Sequence, residues 1–472
     1  MNYENYEDFD TDLRIQNSSW VSDTTGYMEN NSTDLEAIHV LKERNFMEKN
    51  SIIDRVTPIR EELTAKYKRS LAYVHFKELV PKILIDMICS LQEDEPRLIQ
   101  EYGEYVHFDL KRIIWSLTIL HQDISENRLL TVFHGKEPDT QSWNKFLLGL
   151  YEEKNQWFSA VWLHAECYMY RRIWAIFNRS YTLKNYDYFS QQKISGSILY
   201  KDLMLNARNS TKGLQRSEEN LHLMLQLSLW GNRSWDLSRE EDIISLIDEQ
   251  EHNLLVDESS ICYRLLTEST LKPIYLDIVC DNAGFELFTD FLLAEYIIET
   301  GLAQRVRFHV KAIPWFIWDA THLDVTWLLR YLCTHKFPQL AAFGRRLRGF
   351  VRDRSIIICK DTNFWTSPRE FSAMKKLNPC LYVTLSEASL VIFKGDHNYR
   401  KLLGDINWDS VTPFKDCLKG FLPTSLCALR PIKSDIYCGL PTCMVEWQTE
   451  DNPNWMKTGE KAVIQVAIKS RP

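Results

Sequence analysis

Residues 274–301 read IYLDIVCDNAGFELFTDFLLAEYIIETG, and this stretch decides the fold expected for the second half of the chain. An apolar run stops abruptly at Asp281 and Asn282, a turn containing glycine follows, and an amphipathic helix is then predicted to extend to Gly301. A buried strand that leads directly into a helix is typical of α/β proteins. The pattern therefore places Asp281 and Asn282 at the tip of a strand.

Three further apolar runs in this half also stop at polar residues. The runs cover residues 308–313, 356–359 and 390–393, and the polar residues that follow them are Asp319, Asp361, Lys394 and Asp396. In open α/β sheets, ligands bind outside the carboxyl ends of the strands, where the loops converge. We therefore expect a binding site built from the ends of all four strands.

The rest of the chain divides by composition. Residues 1–50 are rich in Asn, Asp, Ser, Thr and Glu and are expected to form a mobile acidic leader. Residues 51–236 have apolar residues at three- and four-residue steps, which predicts a helical subdomain, and the acidic residues 237–264 are expected to connect the two halves. Residues 265–472 then form the predicted α/β domain that carries this binding site.

The bulk composition narrows the possible partners and the location. The 472 residues carry a formal net charge of −8, and no stripe of Lys and Arg suited to nucleic acid is recognised in the sequence. The acidic N-terminus lacks the pattern of a signal peptide, and no apolar run approaches the roughly 18 residues of a membrane span. The eleven cysteines lie mostly in apolar runs, which indicates reduced thiols. These features predict a cytoplasmic protein whose partners are neither nucleic acids nor membranes.

Asp281, Asn282 and Asp319 are the candidate metal ligands. Their side-chain oxygens are hard donors suited to Mg²⁺ or Mn²⁺, and the separation between Asp281 and Asp319 is what a strand, a helix and a strand span. The two carboxylates would then share one cation. The alternative is that Asp281 or Asn282 only caps the following helix. The sequence has no HExxH motif and no pair of CxxC motifs, so zinc is not indicated.

Cationic side chains follow two of the later apolar segments and are candidates for binding phosphate. Lys394, Arg400 and Lys401 lie around a glycine turn, and Arg430 and Lys433 lie in the segment ALRPIK. Each of them has the alternative of being an ordinary surface cation. The sequence has no Walker A loop and no GxGxxG motif, so a nucleotide-type phosphate loop is not indicated.

Five segments together resemble those of a known family. They are AECYMYRRI at 165–173, CDNAGFEL at 280–287, KAIPWFIWDAT at 311–321, FKGDHNYRKL at 393–402 and ALRPIK at 428–433. Over its full length apart from the leader, the chain resembles the damage-control phosphatases, formerly a domain of unknown function numbered 89. Within them it is similar to the eukaryotic branch that is also called acidic residue methyltransferase.

The resemblance implies a three-layer α/β/α sandwich with an N-terminal helical subdomain, and hydrolysis of sugar phosphates such as fructose 1-phosphate. The implied cofactor is a divalent metal, Mn²⁺ or Ni²⁺, with Co²⁺ or Mg²⁺ as the other choices. The implied catalytic and metal-binding residues are Asp281, Asn282 and Asp319. The implied substrate-binding residues are Asp281, Asn282, Glu286, Asp396, His397, Asn398, Tyr399, Arg400 and Lys433. Two positions depart from the family pattern: His397 stands where Leu is usual, and the Arg-Thr-x-Lys motif has Pro431 in place of Thr.

The predicted activity is that of a metal-dependent phosphomonoester hydrolase for small phosphorylated metabolites. The attacking group stays open, since Asp281 would serve as a nucleophile or a carboxylate would activate a water. One alternative function is an S-adenosylmethionine-dependent O-methyltransferase acting on protein glutamates, although no glycine-rich loop follows the first strand. A second alternative is a scaffold that has lost activity, for which Pro431 is the sequence hint.

Overall fold

The computed structural model describes residues 32–235, 237, 242–360 and 362–470. Contacts between Cα atoms divide the chain into two units, Met1–Ser51 and Ile52–Pro472. The described part of the first unit contains helix α1 (Ser32–Lys49), so the segment predicted as a mobile leader includes a helix, and its residues 1–31 lie outside the described part. Within the described ranges, no helix combines the length and the apolar character needed to cross a membrane.

Helices make up most of the second unit up to residue 267. A π-helical turn at His75–Leu79 and 3₁₀ turns at Glu152–Lys154 and Glu251–Asn253 accompany them. The α-helices of this part are α2 (Leu71–Val74), α3 (Val80–Glu93), α4 (Glu95–Tyr102), α5 (Val106–Ser125), α6 (Thr140–Leu147), α7 (Trp162–Asn178), α8 (Ser190–Leu199), α9 (Lys201–Thr211), α10 (Glu218–Trp230), α11 (Ile243–Asp248) and α12 (Ser259–Thr267). The predicted acidic connection therefore contains regular structure, while the predicted domain boundaries stay predictions.

In the described residues a seven-stranded sheet organises the rest of the unit. The strands are β1 (Leu254–Asp257), β2 (Tyr275–Val279), β3 (Arg305–His309), β4 (Ile356–Cys359), β5 (Leu390–Lys394), β6 (Leu426–Pro431) and β7 (Ala462–Ala467). The helices are α13 (Phe285–Glu299), α14 (His322–Thr334), α15 (Pro338–Arg352), α16 (Met374–Leu377), α17 (Pro379–Ser386), α18 (Gly395–Leu403), α19 (Phe414–Cys417), α20 (Thr442–Asp451) and α21 (Trp455–Thr458), with a 3₁₀ turn at Phe371–Ala373. The order is β1-β7-β6-β5-β2-β3-β4, and all neighbours are parallel except β6 and β7.

Helices cover both faces of the sheet, so the predicted fold class is confirmed. On one face, Leu276 and Ile278 of β2 pack into a core that includes residues of α10 and α13. On the other face, Asp277 accepts hydrogen bonds from Nε and Nη2 of Arg307 at 2.6 and 3.0 Å, and Arg307 also donates to the Thr384 carbonyl of α17. A parallel strand that is buried on both faces carries apolar residues without strict alternation. This explains the nearly continuous apolar run before Asp281.

The strand expected at residues 308–313 is Arg305–His309 instead. The N–H of Val310 still donates to the Cys359 carbonyl of β4 at 3.2 Å, but the N–H of Lys311 donates to the Ala320 carbonyl of the returning loop at 2.9 Å. Beyond it, Pro314 has no N–H to donate, and Phe316 and Ile317 have positive φ angles of 44° and 63°. The loop turns back toward the end of β2. This return brings Asp319 beside the neighbouring strand.

Helix α13 was expected to be amphipathic, and that expectation is wrong. Every residue from Phe285 to Ile297 is buried, because the helix lies in the shared core and also contacts α9 and α10. A helix buried on all sides must pair the charges that it carries. Its Glu295, for example, forms an ion pair with Arg208.

Candidate active site

Asp281, Asn282 and Asp319 lie side by side at the carboxyl ends of β2 and β3. Asn282 pairs with Asp319 in an isolated antiparallel bridge. The N–H of Ala320 donates to the carbonyl of Asp281 at 2.7 Å. Backbone hydrogen bonds thus join the turn after β2 to the loop after β3. They bring the three predicted metal ligands into one place.

Asp281 and Asp319 form a buried and crowded pair of carboxyl groups. Asp281 is 6% exposed and Asp319 is 1% exposed. Burial raises the pKa of Asp281 to about 7, and repulsion from Asp319 adds to the rise. Burial also raises the pKa of Asp319, although Nζ of Lys311 lies 3.1 Å from its Oδ2 and opposes the change. When both carboxyl groups are ionised, Lys311 neutralises only one of the two negative charges. A second cation beside the pair is therefore favoured.

Glu286 extends this cluster from the first turn of α13. Burial raises the pKa of Glu286 to about 8, Lys394 opposes this, and Asp281 and Asp290 add to it. Nζ of Lys394 lies 3.1 Å from Oε1 of Glu286 and 2.7 Å from Oδ1 of Asp290. Lys394, a predicted phosphate ligand, is therefore already held by two carboxylates. Oε2 of Glu286 is buried and has no hydrogen-bond partner among the described residues.

The start of α18 lies against Asp281. Gly395 has a φ angle of +80°, and a Cβ added there would lie 1.9 Å from Oδ2 of Asp281. Glycine is therefore required both by the backbone conformation and by the close approach. The first N–H groups of a helix have no acceptor within the helix, and they attract anions. The first turn of α18 thus presents donors beside the carboxylate cluster.

Asp396 positions the segment that follows β6. Its Oδ1 accepts hydrogen bonds from Nε of Arg430 at 2.8 Å, from Oγ of Ser434 at 3.0 Å and from the N–H of Lys433 at 3.2 Å. The Asp396 carboxylate and the Arg430 guanidinium are therefore engaged with each other. Both were predicted near the phosphate, and the structure gives them a role in holding the turn that carries Lys433.

Lys433 reaches the cluster through Asn232, which the sequence reading missed. Nζ of Lys433 donates to Oδ1 of Asn232 at 2.6 Å, and Nδ2 of Asn232 donates to Oδ2 of Asp281 at 3.0 Å. Lys433 is exposed and Asn232 is half-buried, so the pair lies at the solvent-facing edge of the carboxylate cluster, which we call the rim. Asn232 follows α10 in a Gly-Asn pair, and no motif spacing connects it with Asp281.

Asn398 and Tyr399 point into the interior. Nδ2 of Asn398 donates to the carbonyl of Lys394, the last residue of β5, at 2.7 Å and to the carbonyl of Cys280 after β2 at 3.2 Å. The hydroxyl of Tyr399 donates to Oε1 of Gln465 on β7 at 2.7 Å. A direct substrate contact, as implied by the family resemblance, would require these side chains to leave their present partners.

Arg400 is also engaged with buried partners. Its Nε and Nη2 donate to Asp405 at 2.8 and 3.0 Å, and its Nη1 donates to Oε2 of Glu166 at 2.7 Å. The guanidinium carbon lies 3.9 Å from the ring centroid of Trp162. These contacts connect α18 to α7. The predicted role of Arg400 in binding phosphate therefore competes with a structural role that the described contacts already fill.

His397 forms part of an aromatic wall. Its ring centroid lies 3.9 Å from that of Phe316, and Phe316 stacks on Tyr170 at 4.6 Å. Burial lowers the pKa of His397 well below its usual value, so the imidazole is neutral. Both ring nitrogens are buried and have no partner among the described residues. The neutral imidazole therefore has one donor and one acceptor that are buried without a partner in the described part of the chain.

The cluster fits a hard divalent cation. Among the described residues, no group of three or more His, Cys, Asp and Glu side chains is arranged to hold a metal ion. The predicted set instead combines two carboxylates with the amide of Asn282, and all three supply oxygen donors. The raised pKa values of Asp281 and Asp319 add to this fit, because a bound cation would favour their ionised forms.

Comparison with known proteins identifies the family. A family model described as the damage-control phosphatase ARMT1-like domain matches residues 75–446. The damage-control phosphatase ARMT1 of Danio rerio is 34% identical over 440 residues, which cover 87% of this chain and 98% of that protein. The proteins of the same name from Rattus norvegicus and Homo sapiens are 32% and 30% identical, over 85% and 84% of this chain and 97% and 96% of their own lengths.

A solved structure is also similar. The crystal structure of a DUF89 family protein from Pyrococcus horikoshii matches with a TM-score of 0.39 and 15% identity, over 80% of this chain and 97% of that one. The family model spans most of the chain, and the sequence relatives are matched over nearly their whole length. The resemblance read from the five motifs is therefore confirmed, and the chain belongs to the ARMT1-like family of damage-control phosphatases.

Proposed function

We propose that this chain is a metal-dependent phosphatase that hydrolyses small phosphorylated metabolites, with sugar phosphates such as fructose 1-phosphate as the substrate class. Family membership supports a phosphatase that acts on small molecules. The observation that carries the proposal is the cluster of Asp281, Asp319 and Glu286, three buried carboxyl groups with raised pKa values. Perturbed carboxyl groups at the ends of parallel strands are typical of active sites.

Asp281, Asn282 and Asp319 would hold the divalent cation, which we propose to be Mn²⁺ or Ni²⁺, or else Co²⁺ or Mg²⁺. A bound cation would supply charge neutralisation at the phosphoryl oxygens as the P–O bond breaks. Lys311 supports this arrangement, because its Nζ lies 3.1 Å from Asp319 and also donates to the carbonyl of Cys280 at 2.7 Å. It therefore orients one ligand and ties it to the end of β2.

The substrate phosphate would lie between the first turn of α18 and the rim. The N–H groups that follow Gly395 supply donors from one side, and Lys433 supplies a positive charge from the other. Because Asn232 connects Lys433 to Asp281, the ammonium is held near the cluster before substrate arrives. This preorganisation lowers the cost of orienting the cation during the reaction.

The leaving group would face the aromatic wall. The neutral imidazole of His397 has an unpaired donor and an unpaired acceptor, which match hydroxyl groups of a sugar. Phe316 provides an apolar face against which a ring can pack. These features support a polyhydroxylated substrate over a plain alkyl phosphate.

The test measures release of inorganic phosphate from fructose 1-phosphate and from p-nitrophenyl phosphate. Protein is first treated with a chelator, and Mn²⁺, Ni²⁺, Co²⁺ or Mg²⁺ is then added separately. We expect no turnover without metal and turnover with at least one of them. Turnover of the chelated protein at the full rate would refute metal dependence. Absence of hydrolysis with every metal, together with methyl transfer from S-adenosylmethionine to protein carboxylates, would favour the alternative function.

A further inference from the structure

A groove between α14 and α15 lies outside the candidate active site and carries a strong positive charge. Its volume is about 680 Å³. Its arginines are Arg330 on α14 and Arg345, Arg348 and Arg352 on α15. All four are exposed, and no carboxylate among the described residues lies within ion-pair distance of them. The adjacent Arg346 differs, because it is paired with Glu295 and Glu299.

Helical spacing puts three of these arginines on one side of α15. Arg345, Arg348 and Arg352 are three and four residues apart, so they extend over about 10 Å of the helix. A Cβ at Gly344 would lie 2.6 Å from a backbone nitrogen of α14, whereas a Cβ at Gly349 would meet nothing within 4 Å. The two helices are therefore in close contact near Gly344, and the space between them opens toward Gly349.

The floor of the groove is apolar. Leu329 and Val351 line it, are partly buried and pack against the main core. Leu323 lies seven residues before Arg330, hence on the same side of α14, and is 59% exposed. Apolar contact surface between charged rims is the arrangement that binds amphipathic segments.

We propose that this groove binds a short acidic amphipathic helix of a partner protein. A helix laid along α15 repeats its side chains at the same three- and four-residue steps, so its carboxylates would meet Arg345, Arg348 and Arg352 in register. The planar guanidinium suits bidentate contacts with carboxylates. The apolar side of the same helix would cover Leu329 and Val351.

The charge of the whole chain favours a short acidic segment over a long polyanion. The formal net charge is −8, so removing the four positive charges of the groove leaves −12 on the rest of the chain. A nucleic acid that extended beyond the groove would meet this negative charge. Three of the four arginines lie within eight residues of one another on α15, and the fold places Arg330 of α14 beside them.

The test uses a fluorescein-labelled synthetic peptide of about 18 residues that forms a helix with Leu on one side and Glu on both flanks. Binding to the full-length protein is measured by fluorescence anisotropy. We expect Arg345→Ala/Arg348→Ala to weaken binding about tenfold. The control variant Lys375→Ala/Lys376→Ala removes the same charge from α16 and should leave affinity within about twofold. A peptide with Lys in place of Glu should not bind, and phosphatase activity should be unchanged in both variants.

Several results would overturn the proposal. Absence of peptide binding would do so, and so would equal affinity of the parent and the arginine variant. If inorganic tripolyphosphate bound to the groove and the peptide did not displace it, the groove would instead be a site for a small polyanion. The single variant Arg352→Gln gives a second measurement of peptide affinity, which it should also weaken. Replacing one exposed side chain preserves the fold, and circular dichroism would verify this.

Discussion

Replacing Asp281 with Asn should stabilise the metal-free protein while removing its response to metal. Asp281 is 6% exposed, and burial together with Asp319 raises its pKa to about 7. The pKa of an aspartate in an unfolded chain is about 3.9. Because the folded protein holds the proton more strongly, ionisation of Asp281 costs about 4 kcal/mol of stability above pH 7 or so. The amide of Asn carries no such charge.

The substitution preserves the shape of the site. The amide oxygen can still accept the hydrogen bond that Nδ2 of Asn232 makes to Asp281 at 3.0 Å. In chelator near pH 8, the free energy of unfolding of Asp281→Asn should therefore rise by up to about 4 kcal/mol. With Mn²⁺ the parent should gain stability and the variant should not, since ligand binding stabilises only the protein that binds. Urea unfolding followed by tryptophan fluorescence, with and without Mn²⁺, measures both effects, and phosphate release should fall sharply.

Asp277→Asn is a matched control in the same strand. Asp277 is fully buried but accepts hydrogen bonds from Arg307 at 2.6 and 3.0 Å, and Nε2 of His309 lies 3.2 Å away. Removing this buried charge leaves Arg307 with only the exposed carboxylate of Glu387, 2.8 Å from its Nη1, so this variant should lose about 3 kcal/mol. The two substitutions thus have opposite predicted signs. A metal-free Asp281→Asn protein less stable than the parent, or one that responds to Mn²⁺ as the parent does, would refute the reasoning.

Three further predictions concern the same site. Lys433→Ala should lower kcat/KM for fructose 1-phosphate by about 10- to 150-fold without weakening metal binding, as the loss of a charge-assisted hydrogen bond implies, and steady-state kinetics with a metal titration would check it. His397→Leu should raise the free energy of unfolding by about 1 kcal/mol, because it removes buried nitrogens without partners, and should lower the ratio of kcat/KM for fructose 1-phosphate to that for p-nitrophenyl phosphate. Because the pKa values of Asp281 and Glu286 are raised to about 7 and about 8, the folded chelated protein binds more protons than the unfolded chain. Buried neutral His397 has the opposite effect below the ordinary histidine pKa of about 6.5, so the window that isolates these carboxyl groups is about pH 6.5 to 8. The Tm of the chelated protein should fall as pH rises across that window, and a rising Tm there would contradict the assignment.

The coarse fold was predictable because it depends on short-range patterns. The apolar run before Asp281, the glycine turn and the following helical run predicted a strand and a helix, and β2 and α13 occupy those positions. The end of β3 was misplaced, since apolar residues continue past His309 into the loop before Asp319, where the N–H of Lys311 donates to Ala320 of the same loop and not to a neighbouring strand. Asp361, which was expected to contribute from the loop after β4, lies outside the described residues.

The candidate site was also predictable only in part. The sequence predicted Asp281, Asn282 and Asp319 together, and the bridge between the two loops places them side by side. It did not distinguish cations that face a ligand from cations that pair inside the fold. Lys433 is exposed at the rim, whereas Arg400 is buried against Asp405 and Glu166. Residues of the same charge in adjacent motifs therefore have different partners, which sequence spacing does not reveal.

By itself, the sequence determined the α/β class, the strand tip that carries Asp281 and the family, because these follow from periodicity, turn chemistry and local motifs. Only the tertiary structure decided how charged groups from distant segments meet. It brought Asn232 to Asp281 across 49 residues, placed Gly395 against the same carboxylate and set Arg330 beside the three arginines of α15 in one groove. The physical reason is that pKa values and ion pairing depend on burial and on distances between side chains. Those quantities arise when the sheet and its helices pack together.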